Sequence, residues 1–188
     1  MSKHPFEHFN LDENLIEAVK NLNFEKPTEI QNRIIPRILK GTNLIGQSQT
    51  GTGKSHAFLL PLFDKIDVDI KEPQVIILAP TRELAKQLYD AASHLTQFKK
   101  GVKVNLYIGG TDKSRDIDKS KNTPHVVVGT PNRIDDMGVE RALDLHLAKS
   151  VVIDEADLMI DLGFMPKVDS IASRLDENAQ ISVFSATI

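Results

Sequence analysis

The chain has 188 residues, room for one domain with a substantial core, and its 40% hydrophobic and 26% charged content is ordinary for a soluble globular protein. A net charge of −3 and a pI of about 6.1 exclude a global field that gathers polyanions, so any nucleic-acid contact must rest on locally arranged basic residues. The absence of cysteine excludes disulfides and thiolate metal sites and fits a reducing compartment.

In chain order, the first residues carry charges and no apolar core, unlike a secretory signal. No apolar run approaches the ~20 residues that span a bilayer, so a cytoplasmic protein without membrane contact is expected. Leu15, Ala18, Val19 and Leu22 mark a first helix. A second runs from Thr28 toward Gly41, with Pro36 expected to bend or split it. From residue 43 onward, short β-branched runs at 43–46, 75–79, 102–108, 125–129, 150–154 and 181–185 alternate with amphipathic stretches. The runs are nearly continuous rather than alternating, the pattern of strands covered on both faces, and this predicts a parallel sheet in a three-layered α/β fold. Leu84, Leu88, Ala91 and Leu95 recur at i, i+4, i+7 and i+11 and give one buried helical face. The stretch 112–122 is charged and poor in apolar residues, which predicts a solvated helix or loop with no function of its own. The six histidines have no metal-ligand spacing. The organisation expected is one compact unit, with N-terminal helices over residues 1–41 and the α/β core over 42–188.

Two segments about a hundred residues apart carry chemistry. Ser48 to Ser55 follows the first strand as a glycine-rich turn and opens a helix continued by Ala57, Leu60 and Leu62. Such a turn lets consecutive backbone N–H groups face one anion, the helix adds its positive end, and Lys54 supplies a mobile charge for terminal phosphates. Ser48 stands where the common phosphate-loop pattern has glycine. Ser55 places a hydroxyl suited to Mg²⁺. Asp154–Glu155–Ala156–Asp157 ends the apolar strand at 150–153, where Asp154 would hold the ion through water and Glu155 would orient the attacking water and accept its proton. Alone, an acidic tetrapeptide after a strand is a solvated helix start. Beside a phosphate loop it points to nucleoside triphosphate chemistry.

With the remaining motifs, essentially the whole chain resembles the N-terminal RecA-like domain of the DEAD-box RNA helicases. Phe24 to Gln31 is similar to the family's adenine-reading Q motif, with Phe6 upstream at the family's spacing. Pro80–Thr81–Arg82–Glu83–Leu84, Gly109–Gly110 and Thr130–Pro131–Asn132–Arg133 resemble its RNA-contacting segments, and Ser185–Ala186–Thr187 its coupling motif. The resemblance implies a RecA-like P-loop fold and an ATP site formed by Phe24, Lys26, Gln31, Ser48, Gln49, Thr50, Gly51, Thr52, Gly53, Lys54 and Ser55. It implies Lys54, Asp154 and Glu155 as catalytic residues and Ser55 with Asp154 for Mg²⁺. RNA contacts fall to Pro80, Thr81, Arg82, Gly109, Gly110, Thr130 and Arg133, and coupling to Asp157, Ser185 and Thr187.

Bland readings stand beside several of these roles. The Gln31 amide can match N7 and N6 of adenine, and Thr28 to Gln31 is also a capping box. Phe24 either stacks on the base or acts as a hydrophobic staple, and Phe6 packs around that site or simply in the core. Arg82 and Arg133 follow strands near the edge where open α/β sheets bind ligands. There they hold phosphates without reading bases, or serve as surface ion-pair partners. Asn23, Ser48, Ser55 and Asn132 replace Gly, Ala, Thr and Gly of the common family pattern, and Asn132 sits where glycine would tolerate positive φ more readily.

The resemblance thus implies an ATP-dependent RNA helicase acting on single-stranded or short duplex RNA irrespective of sequence. The alternatives are a related DNA helicase or translocase motor, and a non-catalytic RNA-binding scaffold. The chain stops one residue past Thr187, so a monomeric fragment is expected. It would lack the C-terminal RecA-like domain that completes the ATP site in this family, and would be weakly active or inactive alone.

Overall fold

Runs of β-branched residues too short to cross more than one sheet layer alternate with helices long enough to cover it. The computed structural model describes residues 3–49 and 53–187. Strands β1 (Leu44–Gln47), β2 (Val75–Leu78), β3 (Val104–Tyr107), β4 (Val126–Gly129), β5 (Ser150–Ile153) and β6 (Gln180–Ser185) form one sheet in the order β1-β6-β5-β2-β4-β3. Every pairing is parallel, as the continuous apolar runs predicted. The register sets Ile77 between Val128 and Val152, and Ile76 between Val127 and Val151.

Alternate residues of these central strands enter different cores. Val75, Ile77, Val126, Val128 and Val152 join the helices α1 (Glu13–Asn21), α2 (Glu29–Leu39), α3 (Lys54–Asp64) and α4 (Arg82–Thr96). Ile76, Leu78, Val127, Val151 and Ile153 join α6 (Pro131–Val139), α7 (Ala156–Asp161) and α8 (Met165–Ala172). This is the α/β arrangement expected, with helices on both faces. Leu15, Val19, Ile35 and Ile38 pack into the same core as Phe58 and Leu59, so the N-terminal helices are continuous with the sheet's packing. No helix among the described residues is long and apolar enough to cross a membrane.

Two local expectations need correction. Pro36 does not split its helix: α2 runs unbroken, capped by Thr28, with Ile34, Ile35 and Ile38 buried. Burial on either side of the proline holds the turn through the missing N–H bond. The charged stretch at 112–122 is the helix α5 (Lys113–Ser120), as one of the two options had it. It is not fully solvated, because Asp116 and Ser120 are buried. Its inner face is polar and is matched by polar partners.

Candidate functional site

Because all six strands run the same way, their C-terminal ends share one edge, the place where open α/β sheets bind ligands. The strand order sorts the motifs along it. On the β1-β6-β5 half lie Ser48–Gln49 and Gly53–Ser55 of the glycine-rich segment, Ser185–Thr187 and Asp154–Asp157. On the β2-β4-β3 half lie Pro80–Arg82, Thr130–Arg133 and Gly109–Gly110.

In the first half, Gly53 caps α3 with φ 81°, a left-handed conformation suited to glycine. A Cβ there would lie 2.6 Å from Gln31 Nε2, so a side chain would collide with the Gln31 amide. Lys54 opens the helix and sends Nζ to within 2.7 Å of Asp154 Oδ1, the two side chains being 11% and 0% exposed. The Glu155 N–H also donates to Oδ1, at 2.9 Å. Asp154 Oδ2 is buried with no hydrogen-bond partner among the described residues. A buried carboxylate oxygen without a partner is costly, and a hard cation would satisfy it. The Ser55 hydroxyl, in the same first turn as Lys54, belongs to the oxygen donor set that Mg²⁺ favours.

Glu155 adopts φ 49°, ψ 55°, caps α7 and makes no side-chain capping bond. A non-glycine residue held in this region costs on the order of 1–3 kcal/mol, and such strain concentrates at functional sites. Nearby, the Ser185 hydroxyl donates to the Thr187 carbonyl at 2.5 Å and Thr187 Oγ1 donates to Asp157 Oδ2 at 3.3 Å. The Ser48 N–H donates to the Ser185 carbonyl at 3.0 Å, tying the start of the phosphate loop to the end of β6. The Ser48 hydroxyl donates to the Gln49 carbonyl at 3.3 Å. Thr50, Gly51 and Thr52 lie outside the described residues.

Gln31 realises its capping-box reading. Its Oε1 accepts from Thr28 N–H at 2.9 Å and its N–H donates to Thr28 Oγ1 at 3.3 Å, while Nε2 donates to the Gly53 carbonyl at 3.2 Å. It is 1% exposed. One Nε2 hydrogen and one Oε1 lone pair remain uncommitted. Phe24 is half-buried, stacked on Phe6 at 6.3 Å and met edge-on by His56 at 5.1 Å and 88°. Burial, with help from the neighbouring His94, pushes the His56 imidazole down to about 4. Lys26 is exposed in a separate surface cleft with His4, Glu7 and Pro27. Asn23 takes φ 60°, which asparagine tolerates best after glycine.

In the second half, a cleft of about 360 Å³ is lined by Pro80, Arg82, Gly109, Gly110, Thr130 and Arg133, six of the seven residues assigned to RNA from the sequence. The seventh, Thr81, caps α4 by accepting from Leu84 N–H at 3.2 Å. Gly109 and Gly110 have φ 69° and 72°, and a Cβ on Gly110 would stand 2.4 Å from Arg82 Nη1. Glycine is what allows this guanidinium to lie over the turn. Arg82 is exposed and has no ion pair among the described residues. Thr130 caps α6 without a side-chain bond, and Asn132 sits in that helix at no positive φ, so its replacement of glycine distorts nothing. The first-turn N–H groups of Asn132 and Arg133 have no intrahelical acceptor, leaving two donors at a positive helix end. Arg133, by contrast, is 9% exposed and paired with Asp116 at 2.6 Å, the ion-pair alternative of the sequence reading.

Sequence reasoning missed four residues that the fold brings to these sites: Asp116, Asp136 and Phe164 around the cleft, and His56 beside Phe24. Of these, His56 alone had a signal, standing two residues past Lys54 on an otherwise apolar helix.

The comparisons agree with this geometry. Residues 28–188 match the family model described as DEAD/DEAH box helicase. The chain is 68% identical over its whole length to the DEAD-box ATP-dependent RNA helicase CshB of Staphylococcus aureus, covering 42% of that protein. It is 54% identical to the protein of the same name from Bacillus subtilis, covering all of this chain and 43% of that one. The chain therefore spans less than half the length of the curated relatives it matches. Its fold superposes on the crystal structure of a DEAD box protein from the hyperthermophile Methanococcus jannaschii with a TM-score of 0.91 and 36% identity, over 100% of this chain and 51% of that one. Motifs, topology and similarity converge: the chain belongs to the DEAD/DEAH box helicase family.

Proposed function

We propose that this chain is the nucleotide-binding half of an ATP-dependent RNA helicase, completed by a second RecA-like domain of the same protein. The observation that carries the reading is Lys54 Nζ resting on Asp154 Oδ1 while Asp154 Oδ2 is buried without a partner among the described residues. As the terminal phosphates of ATP arrive, Lys54 leaves Asp154 for them, exchanging one anion for another. Asp154 and Ser55 would hold Mg²⁺ there. The ion, when bound, neutralises charge on the transferred phosphoryl group. Gln31 offers its remaining hydrogen and lone pair to the adenine edge, and Phe24 offers a ring face to the base. Glu155, whose side chain makes no capping bond, orients the attacking water and accepts its proton.

RNA occupies the second half of the edge. Arg82 and the free N–H groups at the start of α6 hold phosphates of single-stranded RNA without contacting base edges, so binding is independent of sequence. Within the first half, the Thr187–Asp157 hydrogen bond links the end of β6 to the helix that follows Glu155, which supports a role for Asp157, Ser185 and Thr187 in coupling.

ATP turnover measured in the full-length protein with single-stranded RNA, single-stranded DNA or neither tests the reading. Stimulation by RNA of any sequence is expected. Equal stimulation by DNA would favour a general translocase, and no turnover under any condition would reduce the chain to a binding module.

A further inference from the structure

The charged helix α5 supplies a residue the RNA cleft needs. A phosphate ligand requires N–H groups free to donate and a charge not already cancelled. Arg82 meets both conditions, whereas Arg133 spends its charge on Asp116 and two of its five N–H groups on internal acceptors. Arg133 Nη1 lies 2.6 Å from Asp116 Oδ2, and Nη2 donates to the Thr111 carbonyl at 3.0 Å. Both members of the pair are nine-tenths buried or more. The carboxylate also faces Lys119 Nζ, 3.0 Å from Oδ1.

Asp116 is itself anchored. Its carbonyl accepts from the Ser120 hydroxyl at 2.7 Å, which shares a 2.7 Å hydrogen bond with the Tyr107 hydroxyl at the end of β3. The guanidinium thus ties three pieces together: α5 through Asp116, the chain just after Gly109–Gly110 through Thr111, and the first turn of α6 through its own backbone. Those pieces carry the backbone donors and the glycine turn beneath Arg82.

Resting on the reading of this cleft as an RNA site, we propose that Asp116 is a positioning residue for RNA binding, and that Arg133 works as its clamp rather than as a phosphate ligand. The pair fixes the spacing between the Gly109–Gly110 turn and the start of α6, so that Arg82 and the α6 N–H groups meet successive phosphates.

The test is the salt dependence of RNA affinity in the full-length protein, with ADP affinity and melting temperature as controls. Arg82→Ala should weaken binding and flatten the log–log salt slope by roughly 0.7, the signature of one fewer phosphate neutralised on a single strand. Asp116→Asn and Arg133→Ala should each weaken RNA binding by about tenfold, the size of one charged hydrogen bond, with slope and ADP affinity unchanged. The double variant should be no weaker than either single one, and Asp116→Glu should recover part of the affinity. Should Asp116→Asn fail to fold, Arg133→Lys makes the same decision. Lysine keeps the charge but cannot fork to Asp116 and Thr111, so a clamp loses affinity where a direct phosphate ligand would keep it.

A slope reduced by about 0.7 in Arg133→Ala would overturn the inference, because Arg133 would then touch phosphate. Unchanged affinity in Asp116→Asn would overturn it as well, and so would a gain, since Asp116 would then be competing with RNA for the guanidinium. If the wild-type protein bound RNA without salt dependence, the cleft reading would fall and take this inference with it. Intact wild-type binding beside a silent Asp116 would remove the inference alone.

Discussion

On the β1-β6-β5 half of the ligand edge, the cation Lys54 is buried against Asp154. On the β2-β4-β3 half, Arg82 lies exposed over Gly110 with no ion pair among the described residues. On the proposed reading, the first arrangement makes binding an exchange. A ligand would have to bring an anion for Lys54 and leave Asp154 something positive in return, and a nucleoside triphosphate arriving with a divalent ion would do both. The second would make binding an addition, in which phosphates meet Arg82 and the first-turn N–H groups of α6 without displacing an ion pair. Selectivity and salt sensitivity are therefore expected in different halves of one edge.

The contrast would break most visibly at Glu155. Glu155→Gln in the full-length protein keeps shape and removes the proton acceptor, so ATP turnover should fall by about 10²- to 10⁴-fold with ATP still bound. Turnover within a few-fold of wild type would remove Glu155 from the chemistry. Next in size is stability. Lys54→Ala strands a fully buried carboxylate and should cost about 3–5 kcal/mol in urea unfolding, whereas the exposed Arg82→Ala should stay within about 0.5 kcal/mol. Similar midpoints for the two variants would erase the distinction between exchange and addition.

A third effect is confined to the β1-β6-β5 half. His56 stays neutral in the fold down to about pH 4 but gains a proton in the unfolded chain near its ordinary value of 6.5. The unfolded state therefore binds more protons in that window, and stability should drain away as pH falls through it, by up to ~3 kcal/mol. His56→Leu should flatten that part of the stability profile; an unaltered profile would show that another group is responsible. The smallest effect concerns Gln31. Gln31→Ala should cost about 1 kcal/mol through the capping box and also erode the preference for ADP over GDP. A lowered melting temperature with nucleotide preference intact would leave capping as its whole role.

The strands were legible because a parallel strand buried on both faces must be apolar at nearly every position, and 75–78, 126–129 and 150–153 are so. The turn before Lys54–Ser55 stood out because few sequences place glycines there after a strand, and the structure puts a left-handed Gly53 at the start of α3 as that pattern implies. Asp116 was not. Its helix has a polar inner face, and hydropathy cannot tell a carboxylate facing water from one facing an arginine seventeen residues on. Gln31 was legible as two alternatives, and the fold realises the local one while leaving valences for the other. The unbroken α2 was hidden for a related reason: proline's cost is local, whereas the burial that offsets it comes from α3 and the sheet.

The position of β1 also has a consequence in time. At the edge of the sheet its strand neighbour is β6, and Leu44 pairs with Ser182, so the first strand made waits for the last. At a synthesis rate of ~5–20 residues per second, the 138 residues between them take roughly 7–28 s to appear. Throughout that interval Leu44 and Ile45 emerge from the ribosome with an unsatisfied backbone, and β2, β4 and β5 can assemble without them. Strand β1 thus gains its strand neighbour only after the central strands of the sheet, and nascent chains stalled before residue 180 should be open to proteolysis around β1 while the central strands resist it.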